Sequence, residues 1–265
     1  MLTEKDDHIQ YLGSNPSSDF PISSLIFISI IGHSLIFYLL PSSITPLIKS
    51  YILSTIHACV SVLAVSIFYL RSSINFTQVN RILGGGDKGT HYENMAYSIC
   101  YSAGYFICDL LIMLCFKSVR SQAAIFHHTV VLIIGVSGVY TRVGHTSHFL
   151  MLAEELSTIP LNLKVIYHHR HSIHDFFASL FAITFILSRL VYGTIICAYI
   201  FRAVPQFIQM AANYDDTTSI VLIIIQIILI FLTRLLNLYW AVLIIRKMTV
   251  KSRKQKPPVS VNKTE

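Results

Sequence analysis

The stretch SQAAIFHHTVVLIIGVSG, residues 121–138, decides how the chain is read: its composition belongs in lipid, yet it carries two adjacent histidines, His127 and His128. A helical span needs about 20 apolar residues, and this stretch falls in one at 121–140. Six further blocks of comparable character place spans at 22–40, 50–70, 94–116, 146–164, 174–201 and 219–245. Mean hydropathy is +0.62, and only 12% of the 265 residues are charged. The sequence therefore predicts an all-α, polytopic transmembrane bundle of about seven spans rather than a soluble domain.

The first span is not read as a cleaved signal peptide, because Glu4, Asp6 and Asp7 outweigh Lys5 ahead of it and Gly32, His33 and Ser34 interrupt its apolar run. All five cysteines fall inside predicted spans, where they act as small hydrophobes, so neither a disulfide framework nor a CxxC site is expected. Net charge is +7, but much of the excess lies in the last twenty residues. A basic tail after a span is a topology signal or an anionic-lipid contact, and no nucleic-acid partner is expected. Seven spans put the termini on opposite sides, and the tail argues for a cytosolic C-terminus. Twelve Lys and Arg then lie inside and six outside, a bias that rests on the tail. Asn75 opens an N-x-T acceptor in a loop that this topology places in the lumen. The loop GGGDKGT, 84–90, lacks the order of a phosphate loop and reads as a connector.

A charged group at the centre of a span costs about 2.5–3.5 kcal/mol on insertion scales, so Asp109, Glu154 or Glu155, Arg189 and Arg234 should face the bundle interior or a watery cavity. Helical spacing gives them faces. Tyr101, Tyr105 and Asp109 recur every four residues; Met151, Glu155, Thr158 or Ile159, and Asn162 form a second stripe; Arg234 and Asn237 lie one turn apart. His127 and His128 differ by about 100° around their helix, so one is expected to face the cavity while the other packs. Glu154, Asn162, Arg189, Arg234 and Asn237 join Tyr101 and Tyr105 as candidate polar lining, and His127, His128, Asp109 and Glu155 as candidate catalytic groups. A neutral imidazole beside a carboxylate is a credible general base. The histidine groups at 127–128, 145–148 and 168–174 sit at three depths, so no metal site is expected.

The runs FHH (126–128), SGVYTRVG (137–144) and LAEELSTIPLNLK (152–164), preceded by YSICYSAGYFICDLL (97–111) and followed by SRLVYG (188–193), resemble the TLC domain. That family is named for TRAM, the Lag1 ceramide synthases and CLN8. Within it the chain is most similar to the TLC domain-containing protein 4 subgroup. The resemblance covers about residues 46–250, leaving 1–45 as N-terminal tail and first helix and 251–265 as a basic, disordered tail. It implies six helices around a lipid cavity, usually in the endoplasmic reticulum, and a role in lipid homeostasis with membrane lipids as partners. Acyl-CoA-dependent N-acyl transfer, as in ceramide synthases, is the first alternative; acyl-CoA enters only there, as co-substrate, and no cofactor is required. A lipid transporter or sensor is the second alternative. Homo-oligomerisation is left open. One departure matters: aligned on Lys164, the two synthase aspartates fall on Glu154 and Ser157, so one carboxylate is missing. Pro160 should kink the fifth helix near Asn162.

Overall fold

The computed structural model describes residues 21–72, 82–83 and 90–255. It is helical, with no strand among the described residues. Six helices are long and apolar enough to cross a membrane. Helix α1 spans Ile22–Leu39, α2 Pro46–Arg71, α3 Thr90–Cys115 and α4 Gln122–Thr141. Two of the starts are capped: Thr45 Oγ1 accepts the Ile48 N–H, with Pro46 in the first turn, and Ser121 Oγ accepts the Ala124 N–H.

The expected fifth span, 146–164, is not one α-helix. It comprises α5 (His145–Met151), a 3-10 stretch (Leu152–Ser157) and α6 (Thr158–Ile166). Pro160 has no N–H for the Leu156 carbonyl, which weakens the α register in the turn before it. The tighter 3-10 stretch therefore lies N-terminal to Pro160, rather than as a kink near Asn162. It also carries Glu154 and Glu155, so no apolar run develops there.

The sixth span is longer than expected. Helix α7 (His171–Phe185) continues through a π-helical turn (Ile186–Tyr192) into α8 (Gly193–Asn213), a run of 43 residues. The last helix, α9 (Thr217–Gln255), extends five residues into the segment 251–265 that the sequence reads as disordered. Asn75 and most of the GGGDKGT loop lie outside the described residues.

One face of the bundle gathers alternate helix ends. Leu47 and Ser50 near the start of α2, Met113 near the end of α3, Ala123 at the start of α4, Lys164 at the end of α6 and Lys247 late in α9 all wall one cavity. Lys49 Nζ, on α2, donates to the carbonyls of Phe37 and Leu40 at the end of α1, 3.3 and 2.6 Å away. Ends and starts thus alternate at this face as seven passes require, with 145–166 counted as one.

Outward surfaces are apolar: Leu70 is 85% and Phe27 62% exposed, as a lipid-facing surface requires. Because lipid tails are as apolar as leucine, helix association rests on close packing. A Cβ at Gly104 of α3 would strike Ser29 of α1, and one at Gly135 of α4 would meet His148 Nε2 of α5 at 2.6 Å. Phe68 and Phe149 meet edge to face, 5.3 Å apart, in the main core.

Candidate functional site

Inside that face lies a cavity of about 410 Å³, within the ~300–1,000 Å³ range of small-molecule sites. Apolar side chains including Phe106, Leu161, Phe181, Phe185, Leu243 and Ile244 form much of its wall. Polar groups from α2, α3, α4, the 145–166 segment and the π turn meet it between them.

On one wall, Asp109 of α3 is 5% exposed. Its Oδ1 accepts from Ser50 Oγ at 2.9 Å, and its Oδ2 lies 3.1 Å from His128 Nδ1 of α4. The histidine contact is at ion-pair distance but out of line for a hydrogen bond, so a small ring rotation would complete it. With Nδ1 turned to Asp109, His128 Nε2 is the nitrogen free to meet a ligand. His127 also lines this cavity, with its ring 5.6 Å from that of Trp240. Both histidines therefore reach the cavity wall, where helical geometry alone led us to expect one.

Across the cavity, Arg189 sits in the π turn. Its Nε donates to Ser157 Oγ at 2.9 Å, Nη2 to Thr158 Oγ1 at 3.2 Å and to Glu155 Oε1 at 3.4 Å, and Nη1 to Asn237 Oδ1 at 3.5 Å. Thr158 Oγ1 in turn donates to Glu155 Oε2 at 2.7 Å. The guanidinium fork thus ties α9 and the 3-10 stretch to one point. The π turn also frees a backbone acceptor: the Arg189 carbonyl receives Arg234 Nη1 at 3.1 Å.

Arg234 forms the second ion pair. Its Nη2 lies 2.6 Å from each oxygen of Glu154, whose side chain is 6% exposed. Asn237 Nδ2 donates to Glu154 Oε2 at 3.2 Å while its Oδ1 serves Arg189, so one amide joins both pairs. Gly193, the first residue of α8, makes room for this arrangement: a Cβ there would collide with Arg234 Nη1 and Glu154 Oε1.

Of the residues singled out in the sequence, the structure brings His127, His128, Asp109, Glu155, Tyr105, Asn162 and Arg189 to the walls of the large cavity. Glu154 and Arg234 line instead a smaller neighbouring chamber. Asn237 lines neither and acts as the bridge between the pairs. Tyr101 also lies off both walls; its carbonyl accepts from Ser29 and its ring packs 5.0 Å from His33. Asn162 is 2% exposed, and its Nδ2 has no hydrogen-bond partner among the described residues.

Sequence reasoning missed four participants. Ser50 fixes Asp109, Ser157 fixes Arg189, and Trp240 walls the cavity beside His127. His57 of α2 is fully buried, 3.1 Å from Ser102 Oγ and 3.2 Å from Ser61 Oγ, with its ring stacked 4.0 Å from Tyr105. A signal existed: Ser50, Ser54, His57 and Ser61 recur at intervals of four, three and four, a polar stripe on an otherwise apolar helix. Among the described residues no three His, Cys, Asp or Glu side chains gather as metal ligands would.

The sequence matches the family model described as the TLC domain over residues 48–246, about three-quarters of the chain. No curated protein and no solved structure shows a significant match. The matched region takes in all of the cavity-lining residues except Leu47 and Lys247, and begins after α1. The chain belongs to the TLC-domain family and is a multi-pass membrane protein of that family.

Proposed function

We propose that the cavity takes up the acyl chain of a membrane lipid, with the polar end of that lipid held between Asp109–His128 and Glu155–Arg189, and that the protein adjusts membrane lipid composition through this site. The observation that carries the reading is the cavity itself: about 410 Å³, largely apolar in its walls, with two buried ion-paired sets, Asp109–His128 and Glu155–Arg189, on them. Its mouth lies on the face bearing Lys164 and Lys247, which we assign to the cytosol by the positive-inside rule. Likeness to the TLC domain-containing protein 4 subgroup and residence in the endoplasmic reticulum belong to the same proposal.

A second reading, acyl transfer, is favoured by one specific contact. His128 Nδ1 sits 3.1 Å from Asp109 Oδ2, close enough that a turn of the ring would let the carboxylate hold the imidazole as a base. His128 Nε2 would take the proton of an acceptor amine as its nitrogen attacks the acyl carbonyl. The C–S bond of an acyl thioester would break and the thiolate leave, regaining a proton. Asn162 Nδ2 is a candidate donor to the carbonyl oxygen.

Lipid profiling after expression in cells lacking ceramide synthase tests both. A changed lipid profile that disappears when Ala124→Trp fills the cavity supports the lipid site; an unchanged profile in every class refutes it. New N-acyl lipid that is lost in both His128→Ala and Asp109→Asn supports transfer, and its absence from the wild-type profile rejects transfer alone.

A further inference from the structure

Beside the lipid cavity lies a chamber of about 40 Å³. His127, Glu155, Arg189 and Phe106 line both spaces and form the partition between them. A single water needs about 10–15 Å³ and two to four polar partners, so the volume suffices. Three polar atoms on the lining residues are buried without a hydrogen-bond partner among the described residues: His127 Nδ1, Glu154 Oε1 and Arg234 Nε. Glu154 is 5% exposed. Its Oε1 lies near Arg234 Nη2 but is not aligned to accept from it. Thr233 Oγ1 donates to Ile230 O at 2.7 Å and Arg189 serves four side chains, while the ring of the buried His148 also lines the chamber.

Buried polar groups are satisfied by protein or by ordered water. An imidazole nitrogen, a carboxylate oxygen and a guanidinium N–H supply both donors and acceptors, as a bridging water requires. We propose that this chamber is a water-binding site, in which ordered water joins His127 to the Glu154–Arg234 pair. The two adjacent histidines then have separate duties. His128 is paired with Asp109 on the lipid cavity, whereas His127 stands in the partition and exchanges its proton with chamber water. His127 is in this account a positioning and proton-exchange residue, and the inference does not rest on which lipid the large cavity holds.

The test uses the full chain in lipid nanodiscs. A cryo-EM map that resolves ordered solvent should show water within hydrogen-bond reach of His127 Nδ1 and of Glu154 or Arg234. A chamber that is dry, or closed by a rotated side chain, overturns the proposal. Solid-state NMR of ¹⁵N-histidine protein gives an independent reading, with the His127 signal assigned by its loss in His127→Gln. Magnetisation transfer from water to His127 should fall several-fold when Val131→Phe fills the chamber, or Val131→Leu if the phenylalanine variant does not fold. Unchanged transfer in a folded, chamber-filled variant also overturns it. Retained acyl lipid is measured on the same samples by mass spectrometry, so loss of the lipid reading would be seen separately from loss of the water site.

Discussion

Replacing Gly193 by alanine sets two rules against each other. At a helix position, alanine is favoured over glycine by about 1 kcal/mol, so propensity predicts a gain. The structure predicts a loss. A Cβ at 193 would collide with Arg234 Nη1 and Glu154 Oε1. Both are ends of flexible side chains and can withdraw, but withdrawal gives up the 2.6 Å pair and the 3.1 Å bond from Arg234 Nη1 to the Arg189 carbonyl. Breaking a buried pair costs about 3–5 kcal/mol. Setting the propensity gain against it leaves a net loss of about 2–4 kcal/mol, or roughly 30- to 1,000-fold in the folding equilibrium. Equilibrium unfolding in mixed micelles measures this. In a background with Glu154 and Arg234 both changed to alanine, Gly193→Ala should lose its penalty and show the small gain expected of propensity. Wild-type or higher stability for the single variant would refute the packing of the pair against α8.

Other substitutions probe the remaining contacts. Arg189→Lys keeps the charge but cannot reach Ser157, Glu155, Thr158 and Asn237 together; unfolding should show a loss of about 1–3 kcal/mol for the groups left unpaired, and a neutral result would contradict the fork. Ser50→Ala removes the donor to Asp109 Oδ1 and should cost about 1.5–3 kcal/mol, the range for hydrogen bonds to charged groups, in the same assay. Gly144 has φ +74° and its added Cβ would collide with Gln226 Oε1. Gly144→Ala should therefore cost about 1–2 kcal/mol for the left-handed backbone alone, a part that must survive in a Gln226→Ala background, where thermal denaturation can isolate it.

Much of this arrangement was legible before any coordinates. Long apolar runs require helices in lipid because every backbone group must be satisfied within the span, so α1 to α4 and the last two passes follow from hydropathy. Buried charges were legible for the same reason: Asp109, Arg189 and Arg234 are too costly to face lipid. What sequence did not reveal was pairing. The adjacent Glu154 and Glu155 serve different arginines, because the 3-10 stretch winds about 120° per residue and sends neighbours to different sides. Tyr101 shares a helical face with Tyr105 but meets α1 instead of the cavity, since a face is wider than the cavity it borders. The π turn at Ile186–Tyr192 leaves no compositional mark. His57 was overlooked because a lone histidine in an apolar helix draws less notice than the doublet at 127–128, although its serine neighbours carried the period.

The lipid site itself is tested most directly by photocrosslinking. A diazirine-bearing fatty-acyl lipid is incorporated into nanodiscs with the full chain, and labelled residues are mapped by mass spectrometry. The account predicts adducts on Leu161, Phe181, Phe185, Leu243 and Ile244, which line the cavity, and their loss in Ala124→Trp. Labelling confined to outward residues such as Leu63, Leu70 and Phe231, and unaffected by that substitution, would contradict it.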